Sequence, residues 1–235
     1  MTTAEILKEL ESYGNEATKS VLVKHGAKEP FFGVRVADLK KIVKKVKKNH
    51  ELSLELYATG NTDAMYLAGL IADEKQITKA QLQEWVKNAY WYYISEYTVP
   101  WVAAESDYGI ELGLEWIESD VETIATAGWS TLSHCATCKA DEDIDMELYL
   151  KLLERAEKEV HTAPNRVRYT MNGFIIAVGS YIKDLTDKSF EIAGKVGKVS
   201  VEMGGTACKV PLATEYIQKV IDRGSHGKKR KTCRC

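Results

Sequence analysis

Residues 36–46 read Val-Ala-Asp-Leu-Lys-Lys-Ile-Val-Lys-Lys-Val, and the spacing of their apolar side chains indicates the fold class. The apolar positions are Val36, Leu39, Ile42, Val43 and Val46. Their spacing places them on one stripe of an α-helix, which has about 3.6 residues per turn. The lysines fall on the opposite face. The segment therefore predicts an amphipathic helix with one buried side and one basic, solvated side.

Helical spacing continues outward from this segment. A second apolar stripe follows the acidic residues 141–147, whose negative charges favour a helix N-terminus. A last helix is predicted from Leu212 to Ile221, opened by Val210-Pro211 and ended by Gly224. No segment alternates apolar and polar residues over the length of a strand. Frequent turn residues divide the chain into roughly eleven or twelve short helices, so the predicted fold class is all-α.

The way these helices assemble stays open at this point. Short antiparallel helix pairs form either a compact bundle or an α-solenoid, and no repeat of fixed period favours one of them. A chain of 235 residues can bury a sizeable core. We expect one helical domain over residues 1–222, followed by a basic tail at residues 223–235.

The composition is ordinary for a globular protein, with 45% apolar and 28% charged residues. We expect a soluble, cytoplasmic chain without a membrane partner. Its start resembles no signal peptide, and its longest apolar runs fall far short of the about 20 residues that span a bilayer. The five cysteines are an odd-numbered set at spacings unsuited to a disulfide scaffold. We interpret them as reduced thiols.

The net charge of −2 hides an uneven distribution. Residues 36–48 carry six lysines and one aspartate, and residues 223–235 carry basic side chains and no acid apart from the chain terminus. Residues 104–160 hold fifteen acidic and four basic side chains. Such a surface can orient a polyanion on one side. The lysine-rich helix is then either a DNA contact or a solvated face, and the tail either a nucleic-acid contact or a solubilising extension.

The aromatic segment of residues 90–97 contains four tyrosines, one tryptophan and Glu96. Residues four apart in a helix share a face, so Tyr92 and Glu96 lie together. A carboxylate beside an aromatic ring suits a cationic ligand, because the ring face attracts positive charge and the carboxylate neutralises it. The alternative is a half-buried helix whose tyrosine hydroxyls and Glu96 are solvated.

Two further segments have weaker signals. Cys135 and Cys138 have the spacing of a zinc or redox pair, but no second ligand pair follows, so we interpret them as core thiols and expect no metal. Gly204-Gly205 precedes a helix, where backbone amides can hold a phosphate. The spacing is not that of a phosphate-binding loop, and an ordinary turn is the alternative interpretation.

Three segments together resemble the AlkD-type DNA-alkylation-repair family. They are Phe31-Phe32-Gly33-Val34-Arg35-Val36-Ala37-Asp38-Leu39-Lys40-Lys41, the aromatic segment followed by Val99-Pro100, and residues 166–174. The resemblance spans about residues 15–220. It implies an α-α superhelix of HEAT-like antiparallel helix pairs that acts as a monomer and holds double-stranded DNA in a basic concave face. Active members hydrolyse the N-glycosidic bond of cationic N3- or N7-alkylated purines without a cofactor.

The resemblance also assigns positions to the reaction. Glu96 occupies the place of the family's catalytic aspartate, Tyr92 that of a tryptophan on the same face, and Phe174 that of a second aromatic wall. Thr126 falls where the family has an arginine. Glutamate is longer than aspartate by one methylene, and a misplacement of about 1 Å at a reacting centre can cost about 100-fold in rate.

Three functions are compatible with these residues. The first is an alkylpurine DNA glycosylase with Glu96, Tyr92 and Phe174 at the reacting centre. The second is a paralogue that recognises unusual DNA structures without cleavage. In both, the DNA backbone would be held by basic side chains of the 166–168 segment and of the tail. These are Arg166, Arg168, Lys228, Lys229, Arg230 and Lys231. The third is a protein-interaction scaffold that uses the acidic residues 104–160.

Overall fold

A computed structural model describes all 235 residues and contains thirteen α-helices and no β-strand. The first seven are α1 (Thr3–Ser12), α2 (Glu16–Lys24), α3 (Val36–Val46), α4 (His50–Ala58), α5 (Thr62–Ile71), α6 (Lys79–Asn88) and α7 (Val99–Glu105). The others are α8 (Gly109–Trp116), α9 (Glu122–Cys138), α10 (Met146–Glu159), α11 (Asn165–Tyr181), α12 (Thr186–Val196) and α13 (Ala213–Asp222). A π-helical turn, Ile94–Thr98, leads directly into α7. The all-α prediction is confirmed.

Short polar side chains fix where several helices begin. Thr2 and Glu5 form a reciprocal capping box at the start of α1, and Thr78 and Gln81 repeat it at α6. Such caps satisfy backbone N–H groups that have no partner inside the helix. The predicted last helix is present as α13, and Gly224 follows it with a φ of 63°. Local sequence therefore determines many of the helix ends.

Helices that follow one another in the chain pack side by side as a helical solenoid. Examples are α4 with α5, α8 with α9 and α11 with α12. The long helix α9 lies at the centre and also contacts α7 and α11. Gly128 permits the close approach of α8 and α9, since a Cβ there would lie 2.6 Å from the Ile117 nitrogen. Two apolar cores result, one mainly from α1–α8 and one from α9–α13, with residues of α9 in both.

The helix of residues 36–46 is present with the predicted orientation. Leu39 and Ile42 are buried, and the other three apolar residues of the stripe are partly buried. Just before it, the segment of residues 31–34 is held by Asp63 at the start of α5. This carboxylate accepts hydrogen bonds from the backbone N–H groups of Phe32, Gly33 and Val34 at 2.6, 3.1 and 3.0 Å. Burial raises the pKa of Asp63, and these three hydrogen bonds oppose that rise.

The basic tail packs against the body of the protein instead of extending into solvent. Its backbone runs across the C-terminal ends of α11 and α9, where Gly227 donates to the Ser180 carbonyl and Arg230 to the Thr137 carbonyl. Arg234 then donates to the Ala72 carbonyl, just beyond α5, at 2.8 Å. Helix C-termini leave carbonyl groups unpaired and carry partial negative charge, so a basic segment suits this path.

Docking of the tail also changes the state expected for two cysteines. It brings Cys233 to the end of α9, where it forms a disulfide with Cys138. Cys135, Cys208 and Cys235 remain free thiols, of which Cys135 is buried. Sequence spacing could not reveal the pair, because the two cysteines are 95 residues apart. No helix of the chain is long and apolar enough to cross a bilayer.

Candidate functional site

Glu96 lies in the π-helical turn and is almost completely buried, with 2% of its surface exposed. The turn has a local cause. Pro100 has no N–H to donate to the Glu96 carbonyl four residues earlier, and a proline ring crowds that carbonyl in a regular helix. Ser130 of α9 supplies the missing donor, and its hydroxyl lies 2.5 Å from the Glu96 carbonyl oxygen. The backbone around Glu96 is thus anchored to the central helix.

The carboxylate of Glu96 forms a bidentate ion pair with Arg166. The Arg166 Nε and Nη2 atoms donate to the two carboxylate oxygens at 2.6 and 2.7 Å. Arg166 stands at the start of α11, where its backbone N–H donates to Glu122 at 2.7 Å. Two parallel N–H···O bonds of this kind are among the strongest polar contacts in proteins and fix the geometry of both groups.

Two tyrosine rings flank the guanidinium of Arg166. Its central carbon lies 4.1 Å from the ring centre of Tyr92 and 4.5 Å from that of Tyr169. The Met203 sulfur lies 3.4 Å from its Nη1 atom. Glu96, Arg166, Tyr92 and Tyr169 together form what we call the Glu96–Arg166 centre. The sequence predicts that the aromatic ring and the carboxylate bind a cationic ligand. In the structure they bind the guanidinium of Arg166 instead.

Burial and charge act in opposite directions on Glu96. Burial raises the pKa of its carboxyl and outweighs the hydrogen bonds and charge of Arg166, which lower it, so that the pKa lies at about 7. The pKa of Arg166 lies above its ordinary value, because the hydrogen bonds and charge of Glu96 outweigh the effect of burial. The two hydrogen bonds from Arg166 favour the ionised form of the Glu96 carboxyl, against the effect of burial.

The structure does not bring every predicted residue to this centre. Phe174 is fully buried in the second core, with its ring centre 5.3 Å from that of Trp129 and 5.7 Å from that of Tyr149. Thr126 is fully buried in α9. The second aromatic wall is Tyr169, which sequence reasoning missed. Its signal was its position three residues after Arg166, on the same face of a helix.

The predicted backbone contacts are in different environments. Arg166 is engaged by Glu96, and Arg168 is half-buried. Lys229 donates to the Ala136 carbonyl at 2.8 Å and pairs with Asp141 at 2.7 Å. The other basic tail residues named above are exposed and form no ion pair; they are Lys228, Arg230 and Lys231. The tail therefore retains cations that can reach a phosphate.

The lysine-rich face of α3 is partly neutralised inside the protein. Lys41 pairs with the buried Asp38, Lys45 with Glu9, and Lys48 with Glu74. Lys40 and Lys44 are exposed without an ion pair. Of the two weaker sequence signals, the first includes Cys135, and burial raises the pKa of its thiol to about 12. Gly204-Gly205 forms a turn in which both residues have positive φ.

Comparisons with known proteins agree with this architecture. Residues 6–191 match the model of a family described as DNA alkylation repair enzyme. The uncharacterized protein Lmo0209 of Listeria monocytogenes is 35% identical over 221 residues, which cover 92% of this chain and 95% of that protein. The uncharacterized protein Lin0241 of Listeria innocua is 34% identical over the same length and coverage.

A solved structure extends the comparison to three dimensions. It is described as a new family of proteins related to the HEAT-like repeat DNA glycosylases with affinity for branched DNA structures. That structure is 38% identical in sequence, superposes with a TM-score of 0.91, and the match covers all of both chains. The resemblance inferred from the sequence is confirmed. The chain belongs to the DNA alkylation repair enzyme family.

Proposed function

We propose that this protein binds branched or distorted DNA through its backbone and does not excise alkylated bases. The observation that carries the proposal is the occupied Glu96–Arg166 centre. Glycosidic cleavage needs a carboxylate that faces the positive charge developing on the sugar. Here both oxygens of Glu96 already accept hydrogen bonds from Arg166, at 2.6 and 2.7 Å. Of the two DNA-binding hypotheses, the geometry favours the paralogue that recognises DNA structures without cleaving the glycosidic bond.

Arg166 would also have to leave before an alkylated purine could enter. The purine and the guanidinium are both flat cations, and they would compete for the same faces of Tyr92 and Tyr169. Displacing Arg166 would leave Glu96 buried without a partner, at a cost of about 3–5 kcal/mol. A substrate would therefore have to supply that free energy before any bond cleavage.

DNA binding itself is supported by the exposed tail cations and by the structural relative. That relative is described by its affinity for branched DNA, and it matches this chain over its full length. In this chain Lys228, Arg230 and Lys231 are exposed near the ends of α9 and α11. Contacts to phosphates release counterions, so the binding we propose should weaken steeply as salt increases.

The first test compares a four-way DNA junction with a linear duplex of the same length and composition. We expect tighter binding to the junction, with a log–log salt slope of about −0.9 per phosphate contacted on B-DNA. Replacement of Lys228, Arg230 and Lys231 by glutamine should make that slope shallower. The matched control replaces Lys151, Lys188 and Lys195, which are ion-paired elsewhere on the surface. Equal affinity for junction and duplex would overturn the proposal.

The second test is single-turnover release of N7-methylguanine from alkylated duplex DNA. We expect no release above the spontaneous rate for the wild type or for Glu96→Gln. Release by the wild type that disappears in Glu96→Gln would show that the occupied centre opens during the reaction. That outcome would restore the glycosylase hypothesis.

A further inference from the structure

A cleft of about 250 Å³ lies between α9 and α11, beside the Glu96–Arg166 centre. Glu96, Tyr97 and Tyr169 line it at one end, while Tyr181 and Arg230 line it at the end where α11 finishes. The small residue Gly173 contributes to the wall between these two ends. Pockets for drug-sized ligands usually measure about 300–1,000 Å³, so this cleft suits a smaller group.

Most hydroxyl groups on the α9 side of the cleft are already used within the helix. The hydroxyls of Ser133 and Thr137 donate to the carbonyls of Trp129 and Ser133 at 2.7 and 2.8 Å. The imidazole of His134 and the guanidinium of Arg230 differ, since neither forms a hydrogen bond or ion pair with the rest of the chain. The cleft therefore combines aromatic walls with a cation and an imidazole that both lack partners.

We infer that the α9–α11 cleft holds one unpaired nucleotide at the branch point of a DNA junction. Its base would lie against the tyrosine rings, and its 5′ or 3′ phosphate would contact Arg230. Stacking on aromatic rings is the common way in which proteins hold single-stranded bases, and it needs no particular sequence. The inference rests on the proposed function and adds the structural feature of DNA that the protein selects.

The state of His134 is compatible with a base edge. Burial, together with the neighbouring positive charge of Arg230, lowers the pKa of His134 to about 4. A neutral imidazole offers one N–H donor and one acceptor nitrogen, as the edges of bases require. Arg230 is placed by the docked tail, because its backbone N–H donates to the Thr137 carbonyl at 2.9 Å. The cleft is thus complete only when the tail lies across α9.

Gly173 offers a way to fill the cleft without disturbing the fold. Apart from the two adjacent residues and the backbone of its own helix, no heavy atom lies within 4 Å of the position that a Cβ would take there, and glycine is unfavourable inside a helix. Gly194 is a matched control, since it lies inside α12, also has open space at its Cβ position, and is not among the residues that line the cleft. Gly173→Leu and Gly194→Leu therefore make the same chemical change at two open helical sites.

The experiment uses two three-way DNA junctions that differ only by one unpaired 2-aminopurine at the branch point. We expect wild-type protein to bind the junction with the unpaired base at least about fivefold more tightly, since one stacked base contributes that much or more. Stacking should also quench the 2-aminopurine fluorescence. Gly173→Leu should lose both effects and still bind the fully paired junction, whereas Gly194→Leu should keep them.

Arg230→Gln gives an independent readout, because it removes the phosphate contact and leaves the cleft open. For the junction with the unpaired base, this variant should make the log–log salt slope shallower by the amount expected for about one phosphate contact. Equal affinity of the wild type for the two junctions, or unchanged quenching in Gly173→Leu, would overturn the inference and leave the proposed function standing. Equal affinity for the paired junction and a linear duplex would instead overturn the proposed function.

Discussion

The Glu96–Arg166 centre and the α9–α11 cleft share a wall but satisfy their polar groups in opposite ways. In the centre, a carboxylate and a guanidinium bond each other at 2.6 and 2.7 Å between two tyrosine rings. In the cleft, the side chains of His134 and Arg230 have no partner within the chain. Buried polar groups cost free energy unless they are paired. The carboxylate and the guanidinium of the centre therefore satisfy each other, whereas the half-buried His134 and the exposed Arg230 keep their hydrogen-bonding groups free.

The largest effect is expected from Arg166→Met. This variant leaves Glu96 buried without its cation, which should lower the free energy of unfolding by about 3–5 kcal/mol. The measurement is urea unfolding followed by circular dichroism. The double variant Glu96→Gln/Arg166→Met should recover much of the loss, because no unpaired charge remains. Exposed ion pairs contribute up to about 1 kcal/mol to stability. A smaller loss than this in the single variant would therefore contradict a buried, tightly bonded Glu96–Arg166 pair.

The next effect is a pH dependence that comes from His134. Its pKa falls from an ordinary value near 6.5 in the unfolded chain to about 4 in the folded protein. The unfolded chain thus binds the extra proton between these values, so the contribution of His134 to stability is full above pH 6.5 and is lost as the pH falls toward 4. Up to about 3 kcal/mol is expected over this window.

His134→Asn is the variant that isolates this contribution. Unfolding curves collected from pH 7 to pH 4 should show a shallower decline for the variant than for the wild type. Parallel declines would mean that the imidazole is protonated as readily in the folded protein as in water. Water would then have more access to the His134 imidazole than the residues lining the cleft indicate.

Asp63 is a second buried carboxylate, besides Glu96, whose hydrogen bonds come from the chain itself, so its loss should also destabilise the fold. Asp63→Asn keeps the shape of the side chain but removes the charge that accepts three backbone N–H groups. We expect a loss of about 2 kcal/mol, the range for hydrogen bonds to a charged group. Glu29→Gln is the control, since Glu29 is exposed and accepts one such bond, from Phe31. Equal losses in both variants would argue against a special role of Asp63.

The smallest effect should have the opposite sign. Gly173→Ala places a methyl group in the open cleft and removes the flexibility of glycine from a helix, which should stabilise the protein by about 0.5–1 kcal/mol. Gly128→Ala should destabilise it, because its Cβ would lie 2.6 Å from the Ile117 nitrogen. Thermal unfolding of the two variants side by side would show the contrast. Destabilisation by Gly173→Ala would mean that the cleft is closed in solution.

Much of the fold was predictable because its signals are local. The apolar stripe of residues 36–46 became α3, and the predicted last helix from Leu212 to Ile221 became α13, shifted by one residue at each end. The segment around Glu96 was recognisable by its aromatic content. Its π-helical turn was not predicted, although Pro100 caused it, because helix spacing was assumed to continue up to the proline.

The sequence by itself determined the helices, the basic segments and the placement of Tyr92 and Glu96 on the same side of their segment, since all of these depend on residues a few positions apart. Only the tertiary structure decided what those groups contact. Arg166 reaches Glu96 across 70 residues, Cys233 reaches Cys138 across 95, and Phe174 lies in a core instead of beside Tyr92. The packing of α9 against its neighbours sets these contacts. No local sequence pattern indicates which side chains from distant parts of the chain will be in contact.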